Sequence, residues 1–205
     1  MSQGYLISLE GLDGVGKTTQ LKRLQDWLEG DTREVLSVRE PGGTPLGEAL
    51  RQLVLHRVDA SSALAEFLTF AAARAELMES VVLPALNRGA VGLMDRCIDS
   101  SVAYQAFGRG MDRATVMYIN QVVTQGRMPD LTIWLRGEPF PTAEADHLEQ
   151  RDREYFARVD AGYQWLAKED AKRFVIIDSR QGEDTILQAL QTHIESLMRS
   201  NKGGE

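Results

Sequence analysis

Residues 11 to 18 read Gly11-Leu12-Asp13-Gly14-Val15-Gly16-Lys17-Thr18. The pattern Gly-x4-Gly-Lys-Thr suits a chain that must fold its backbone around an anion. Glycines let the backbone curl so that successive amide hydrogens point inward. A helix that opens at the end of the run adds positive potential. Lys17 can reach the outer phosphates of a nucleoside triphosphate, and Thr18 can place its hydroxyl on Mg2+. Residues Gly11 to Thr19 are therefore the expected ATP-binding segment. The bland alternative, a glycine-rich turn before a helix, satisfies the spacing only by rare coincidence.

The run needs a strand before it and a helix after it, and the sequence supplies both. Tyr5 to Glu10 is a short apolar stretch that stops at Gly11. From Lys17 onward Leu21, Leu24, Trp27 and Leu28 share one helical face. Further strands are expected at Val35 to Val38, Ala90 to Met94, Leu131 to Leu135 and Arg173 to Ile177. Leu46, Leu50, Leu53 and Val54 suggest a helix after the Pro41-Gly42-Gly43 turn. A long helix is expected over Ala60 to Asn87, with Leu64, Phe67, Leu68, Ala71 and Leu77 at helical spacing and Pro84 kinking it or opening its last turn. Other helices are expected near Ser100 to Phe107, Arg113 to Gln125, His147 to Lys168 and Glu183 to Arg199. Strands alternating with helices predict an α/β protein: three layers, with a five-stranded parallel sheet flanked by helices. The least regular stretch is Arg136 to Asp146, and nothing marks an interdomain linker, so one domain over residues 1 to 205 is expected.

Composition narrows the partners. The chain has 205 residues and a net charge of −7, which disfavours coating a nucleic acid but leaves room for a mononucleotide at a few focused Arg and Lys. No apolar run approaches the roughly 20 residues of a membrane span. The N-terminus lacks the basic start and apolar stretch of a secretory leader. Cys97 is the single cysteine, so no intramolecular disulfide can form, and a cytoplasmic location is expected.

The loops after the later strands decide what accepts the phosphate. In an open parallel sheet ligands bind beyond the carboxyl ends of the strands, where Arg39 and Asp95-Arg96 fall. Two arginines there could clamp a second phosphate, although either alone is more often a surface ion-pair residue. Arg39-Glu40-Pro41-Gly42-Gly43-Thr44 is similar to the motif that follows the second strand of thymidylate kinases. Asp95 to Gln105 resembles that family's second signature, continued by Phe107-Gly108-Arg109-Gly110-Met111-Asp112. Pro129-Asp130-Leu131-Thr132 resembles its fourth-strand entry. The likeness runs in order from about Tyr5 to Leu135.

The resemblance implies a P-loop kinase fold and phosphorylation of dTMP to dTDP with ATP and Mg2+, by a homodimer. It implies that Phe70 stacks on thymine and Arg74 bonds its edge. Arg39 and Arg96 would hold the dTMP phosphate, while Ser101, Tyr104 and Gln105 line the nucleoside. Asp13 would sit near the sugar 3′-hydroxyl or the metal, with Asp95 supporting Mg2+ through water. Lys17, Arg96 and Asp13 are the expected catalytic set.

The chain also departs from the family pattern. Asp13, Gly14 and Val15 bring no base into the phosphate loop, so a lid between the fourth strand and the next helix should supply one. That lid, about 136 to 150, is short. Arg136, Arg151 and Arg153 are the nearest cations, each more often a solvated helix charge. Cys97 replaces an aromatic or histidine, and Ala106 a glycine. Two other readings stay open: another nucleotide or nucleoside kinase on this fold, and a catalytically weak nucleotide-binding regulator.

Overall fold

In the computed structural model, which describes residues 4–30, 33–57, 62–137 and 153–200, strands and helices alternate along the chain. The strands are β1 (Tyr5–Glu10), β2 (Val35–Arg39), β3 (Val91–Asp95), β4 (Leu131–Arg136) and β5 (Phe174–Asp178). All pair in parallel, in the order β2-β3-β1-β4-β5. A strand buried on both faces carries apolar residues at neighbouring positions, as Leu6, Ile7 and Leu9 do in β1. Each expected strand is found within one residue of its expected ends.

Helices α1 (Lys17–Glu29) and α8 (Glu183–Ser200) cover one face. Leu21, Leu24, Leu28, Ile186, Leu190 and Ile194 pack there against Ile7, Leu9 and Ile133. The other face carries α3 (Ala63–Leu77), α4 (Leu83–Asn87), α5 (Ile98–Ser101), α6 (Arg113–Val123) and α7 (Arg153–Glu169). Its cores centre on Phe67, Tyr104, Trp134 and Tyr163, and on Leu77, Met78 and Met94. Helix α2 (Pro45–Gln52) begins where the Thr44 hydroxyl accepts the Gly47 amide and Pro45 opens the first turn.

The long helix expected up to Asn87 is not one uninterrupted α-helix. Between α3 and α4 the residues Met78–Val82 take π-helical spacing. Pro84, with no amide hydrogen for a preceding carbonyl, falls in the first turn of α4. The expected apolar face also needs correction. Phe67, Ala71 and Leu77 are buried, but Leu64 and Leu68 are 48% and 45% exposed. Helix α3 is apolar nearly all round, so spacing alone did not say which side meets the sheet. Leu46 and Leu53 are likewise exposed.

The start of the His147 to Lys168 helix, the body of the lid and Arg151 lie outside the described residues. Among the described residues no helix is long and apolar enough to cross a membrane.

Candidate active site

Among the described residues, the phosphate loop, Arg39, Asp95 and Arg96 gather at the carboxyl edge of the sheet. Register places Arg39 beside Asp95 and Asp95 beside Leu9, one residue before Glu10 and the loop. Gly11 turns the chain there with φ 137°, and a Cβ on it would lie 2.4 Å from the Leu135 carbonyl oxygen. Only glycine fits so close to β4. Gly16 precedes α1 in a left-handed conformation, and no side chain among the described residues caps that helix. A helix start without a side-chain cap presents first-turn amides that can bind an anion.

Lys17 is 5% exposed and bends back over the loop. Its ammonium donates to the carbonyls of Gly11 at 3.2 Å and Leu12 at 2.8 Å, and to Asp13 Oδ1 at 3.4 Å. Burial first, then the nearby Arg96 charge, pulls its pKa below the ordinary lysine value. Asp13 Oδ1 also accepts from Arg96 Nη2 at 2.7 Å. Burial would raise the Asp13 carboxyl, but Arg96 and Lys17 outweigh it and hold it well below the usual carboxylate range. One carboxylate oxygen therefore bridges the loop lysine and the arginine that follows β3.

Arg96 is held from several sides. Its guanidinium reaches Ser100 Oγ at 3.2 Å and the Tyr104 hydroxyl at 3.3 Å, and lies 5.0 Å from the Tyr104 ring centroid. Its backbone has φ 70°, a left-handed conformation costing a side-chain-bearing residue about 1–2 kcal/mol. Thr18 Oγ1 donates to Asp95 Oδ2 at 3.2 Å, so the two expected metal-supporting groups do meet. Arg39 is 55% exposed and held by both Glu48 oxygens, at 3.0 and 3.2 Å.

The expected nucleoside residues converge on α3 and the π-helical continuation of α5, Val102–Gly108. Arg74 is buried and donates to Glu40 Oε2 at 2.6 Å, Asn120 Oδ1 at 2.7 Å, Ser101 Oγ at 3.0 Å and the Cys97 carbonyl at 3.3 Å. A guanidinium has five donors, so these four bonds leave one. Phe70 is half-buried and packs with Val54 and Leu55. Gln105 Nε2 donates to the buried Glu66 at 3.0 Å. Cys97 is fully buried in the core beside Leu77 and Met94, and Ala106 is 4% exposed. Both small residues sit where bulk would displace neighbours.

The lid cations divide. Arg136 is paired with Asp160 through two hydrogen bonds, at 2.9 and 3.1 Å, and lies over the Trp134 ring. Arg153 is exposed in the first turn of α7.

Several residues of this network were not singled out from sequence: Glu10, Glu40, Glu66, Ser100, Asn120 and Tyr163. A signal existed for Glu10, a lone carboxylate ending an apolar strand. Asn120 and Tyr163 lie in ordinary helical patterns, and only packing reveals their partners.

A parallel sheet in this order, a glycine loop closing on a buried lysine, and an arginine facing that lysine define a P-loop phosphotransferase. Comparison with known proteins narrows this. Residues 9–190 match the family model described as thymidylate kinase. A thymidylate kinase from Caldanaerobacter subterraneus subsp. tengcongensis is 36% identical over 98% of this chain and 99% of its own. One from Deinococcus radiodurans is 42% identical over 91% of this chain and 94% of its own. The crystal structure of the thymidylate kinase from Ehrlichia chaffeensis superposes with a TM-score of 0.82 at 28% identity, covering 94% of this chain and 99% of that one. The chain belongs to the thymidylate kinase family.

Proposed function

We propose a division of labour for the reaction of this family, ATP + dTMP to ADP + dTDP, among the residues at the sheet edge. The loop Gly11 to Thr19 holds ATP, with Lys17 on its outer phosphates. Arg39 and Arg96 hold the dTMP phosphate, and Phe70, Arg74, Ser101, Tyr104 and Gln105 hold its nucleoside. A dTMP phosphate oxygen bonds to the γ-phosphorus as the bond to the β-bridging oxygen breaks, and ADP leaves. The protein contributes position and charge rather than covalent chemistry.

The observation that carries this reading is the Asp13 bridge. One oxygen lies within 2.7 Å of Arg96 Nη2 and 3.4 Å of Lys17 Nζ. Donor-side and acceptor-side cations therefore face a gap that one anionic oxygen spans, as a transferring phosphoryl oxygen must. The incoming phosphates displace Asp13, whose carboxylate then turns to the sugar or the metal shell.

Mg2+ belongs to this reading as well. Among the described residues no three His, Cys, Asp or Glu cluster to cage a cation. Mg2+ keeps waters and takes few protein ligands beside substrate phosphates. The Thr18 hydroxyl and, through water, Asp95 would hold it, and the ion would neutralise charge on the phosphates.

Turnover of a panel of nucleoside monophosphates, read as ADP release, tests the assignment. dTMP is expected to be clearly preferred. Phe70→Ala is expected to lower kcat/KM for dTMP by ~10-fold, because base–aromatic stacking is worth about 1–3 kcal/mol. A flat acceptor profile would refute the dTMP site. An effect of Phe70→Ala on melting alone would return that residue to the core with Val54 and Leu55.

The same reading takes the chain as one kinase domain with a short lid after β4. It acts in the cytoplasm on free nucleotides, not on nucleic acid or a membrane. A homodimer is part of it too. The uncovered faces of α3 and α6, with Leu64, Leu68, Met117, Tyr118 and Val122 exposed, support that assembly. Sedimentation is expected to give twice the chain mass, with Leu68→Glu giving the monomer; a wild-type monomer would sink the dimer.

A further inference from the structure

Glu10 takes no part in the division of labour above, yet its carboxylate accepts four hydrogen bonds beside it. It closes β1, is fully buried, and precedes the phosphate loop directly in sequence. Its Oε1 accepts from Ser8 Oγ and from the Cys97 amide, both at 2.7 Å. Its Oε2 accepts from Ser100 Oγ at 2.5 Å and from the Tyr163 hydroxyl at 3.0 Å. An ionised carboxylate has about four acceptor positions and no donor, so this arrangement fills it.

Those partners surround Arg96. The Cys97 amide belongs to the next residue along the chain, so bonding it fixes the peptide that follows the left-handed Arg96. Ser100 Oγ receives Arg96 Nη1 while donating to Glu10. Tyr163, on the helix that follows the lid, is stacked on Trp134 at 5.3 Å between centroids and meets Ser100 Oγ at 3.1 Å. Gly162 beside it lets α7 approach so closely that a Cβ there would lie 2.8 Å from Ala103 Cα.

We propose that Glu10 is a positioning residue for phosphoryl transfer: it ties the end of the donor-loop strand to the Arg96 segment and to Tyr163 of α7, holding Arg96 where the acceptor phosphate binds. The inference rests on the reading that Arg96 grips dTMP. It deepens that reading by naming what keeps the arginine in register with the loop.

The network costs stability. The groups facing Glu10 are Asp99 from α5, Arg96 and Cys97 after β3, Tyr163 from α7 and Arg74 from α3. Burial first, then Asp99, pushes the Glu10 carboxyl up to about 7, against Ser100, Ser8 and Arg96. The folded protein thus binds the Glu10 proton more tightly than the unfolded chain does. Its contribution to stability is full below the ordinary carboxylate pKa and is lost as pH rises through about 7.

Glu10→Gln separates positioning from folding. The amide keeps the size and one acceptor oxygen, which the Cys97 amide retains. Its NH2 then competes with Arg96 for Ser100 Oγ. At about pH 8 the variant is expected to melt at or above the wild-type temperature, because the buried charge is gone. Its kcat/KM for dTMP is expected to fall roughly 10- to 100-fold, the scale of a lost bond to a charged group, with KM for ATP within about twofold. Tyr163→Phe, which keeps the ring stack, is expected to lower the same quantity about threefold to tenfold, and decides the matter if Glu10→Gln does not fold. Unchanged dTMP kinetics in the folded variants would overturn the proposal, as would a loss that merely tracks melting. Arg96→Ala is the control. If it leaves dTMP kinetics intact, the acceptor assignment fails; if it abolishes them while the Glu10 and Tyr163 variants do not, only the positioning role fails.

Discussion

Arg96→Ala is expected to lower kcat/KM for dTMP by about 10^3-fold while changing KM for ATP little. The substitution removes a forked cation whose bonds to a phosphate are charge-assisted. It also leaves Asp13 with Lys17 as its one remaining cationic partner among its two ion pairs, so an anionic acceptor meets a less neutralised carboxylate. Folding should survive, because Asp13 is 41% exposed and can be hydrated. Arg96→Lys is expected to restore less than a tenth of the activity, since an ammonium cannot reproduce the fork or lie over the Tyr104 ring in the same way. Arg96→Gly should be as inactive as Arg96→Ala but more stable, because glycine takes φ 70° without strain. Initial rates with each substrate varied, together with thermal melts, check all three variants. Activity within tenfold of wild type in Arg96→Ala would remove Arg96 from the acceptor site.

Lys17→Met is expected to reduce kcat by at least ~10^3-fold, with dTMP still bound. In the proposed division of labour the lysine stands on the donor side, where charge develops on the transferring phosphoryl, and the described loop carries no second base to substitute for it. Arg136 is already paired with Asp160. Stability should hold or rise slightly. Methionine keeps the apolar stem, and the ammonium it replaces is disfavoured by burial, as the lowered Lys17 pKa reflects. The Gly11 and Leu12 carbonyls do lose a donor, which limits the gain. Single-turnover rates and calorimetric dTMP binding separate the effects. Retained binding with lost turnover is expected; turnover near wild type would mean that another cation carries the transferring charge.

These two residues differ in how they could be read from sequence. Lys17 was legible because its chemistry is local: loop, lysine and helix lie within a few residues, and spacing alone aims them at a phosphate. Arg96 needed the parallel sheet as well, since only β3 lying beside β1 brings it to Asp13. Thr18 and Asp95, far apart in sequence, meet for the same reason. The resemblance put Phe70 and Arg74 together on one helix, and both lie in α3. That Arg74 would be committed to Glu40, Ser101, Asn120 and Cys97 at once was not visible, because those partners come from three segments distant from it in sequence.

The sequence by itself determined the strand–helix alternation, the phosphate loop and the kinase signatures. The first two rest on backbone preference, spacing or periodicity within a short window, and such terms act before the chain closes on itself; the signatures rest on the resemblance to a known family. Only the tertiary structure decided which side of α3 is buried, because an apolar helix offers several faces and the sheet selects one. Only it decided that Arg136 is engaged by Asp160. Only it gathered Cys97, Ser100 and Tyr163 around Glu10. A buried carboxylate must find its partners wherever packing brings them, and packing follows from the whole fold rather than from any stretch of residues.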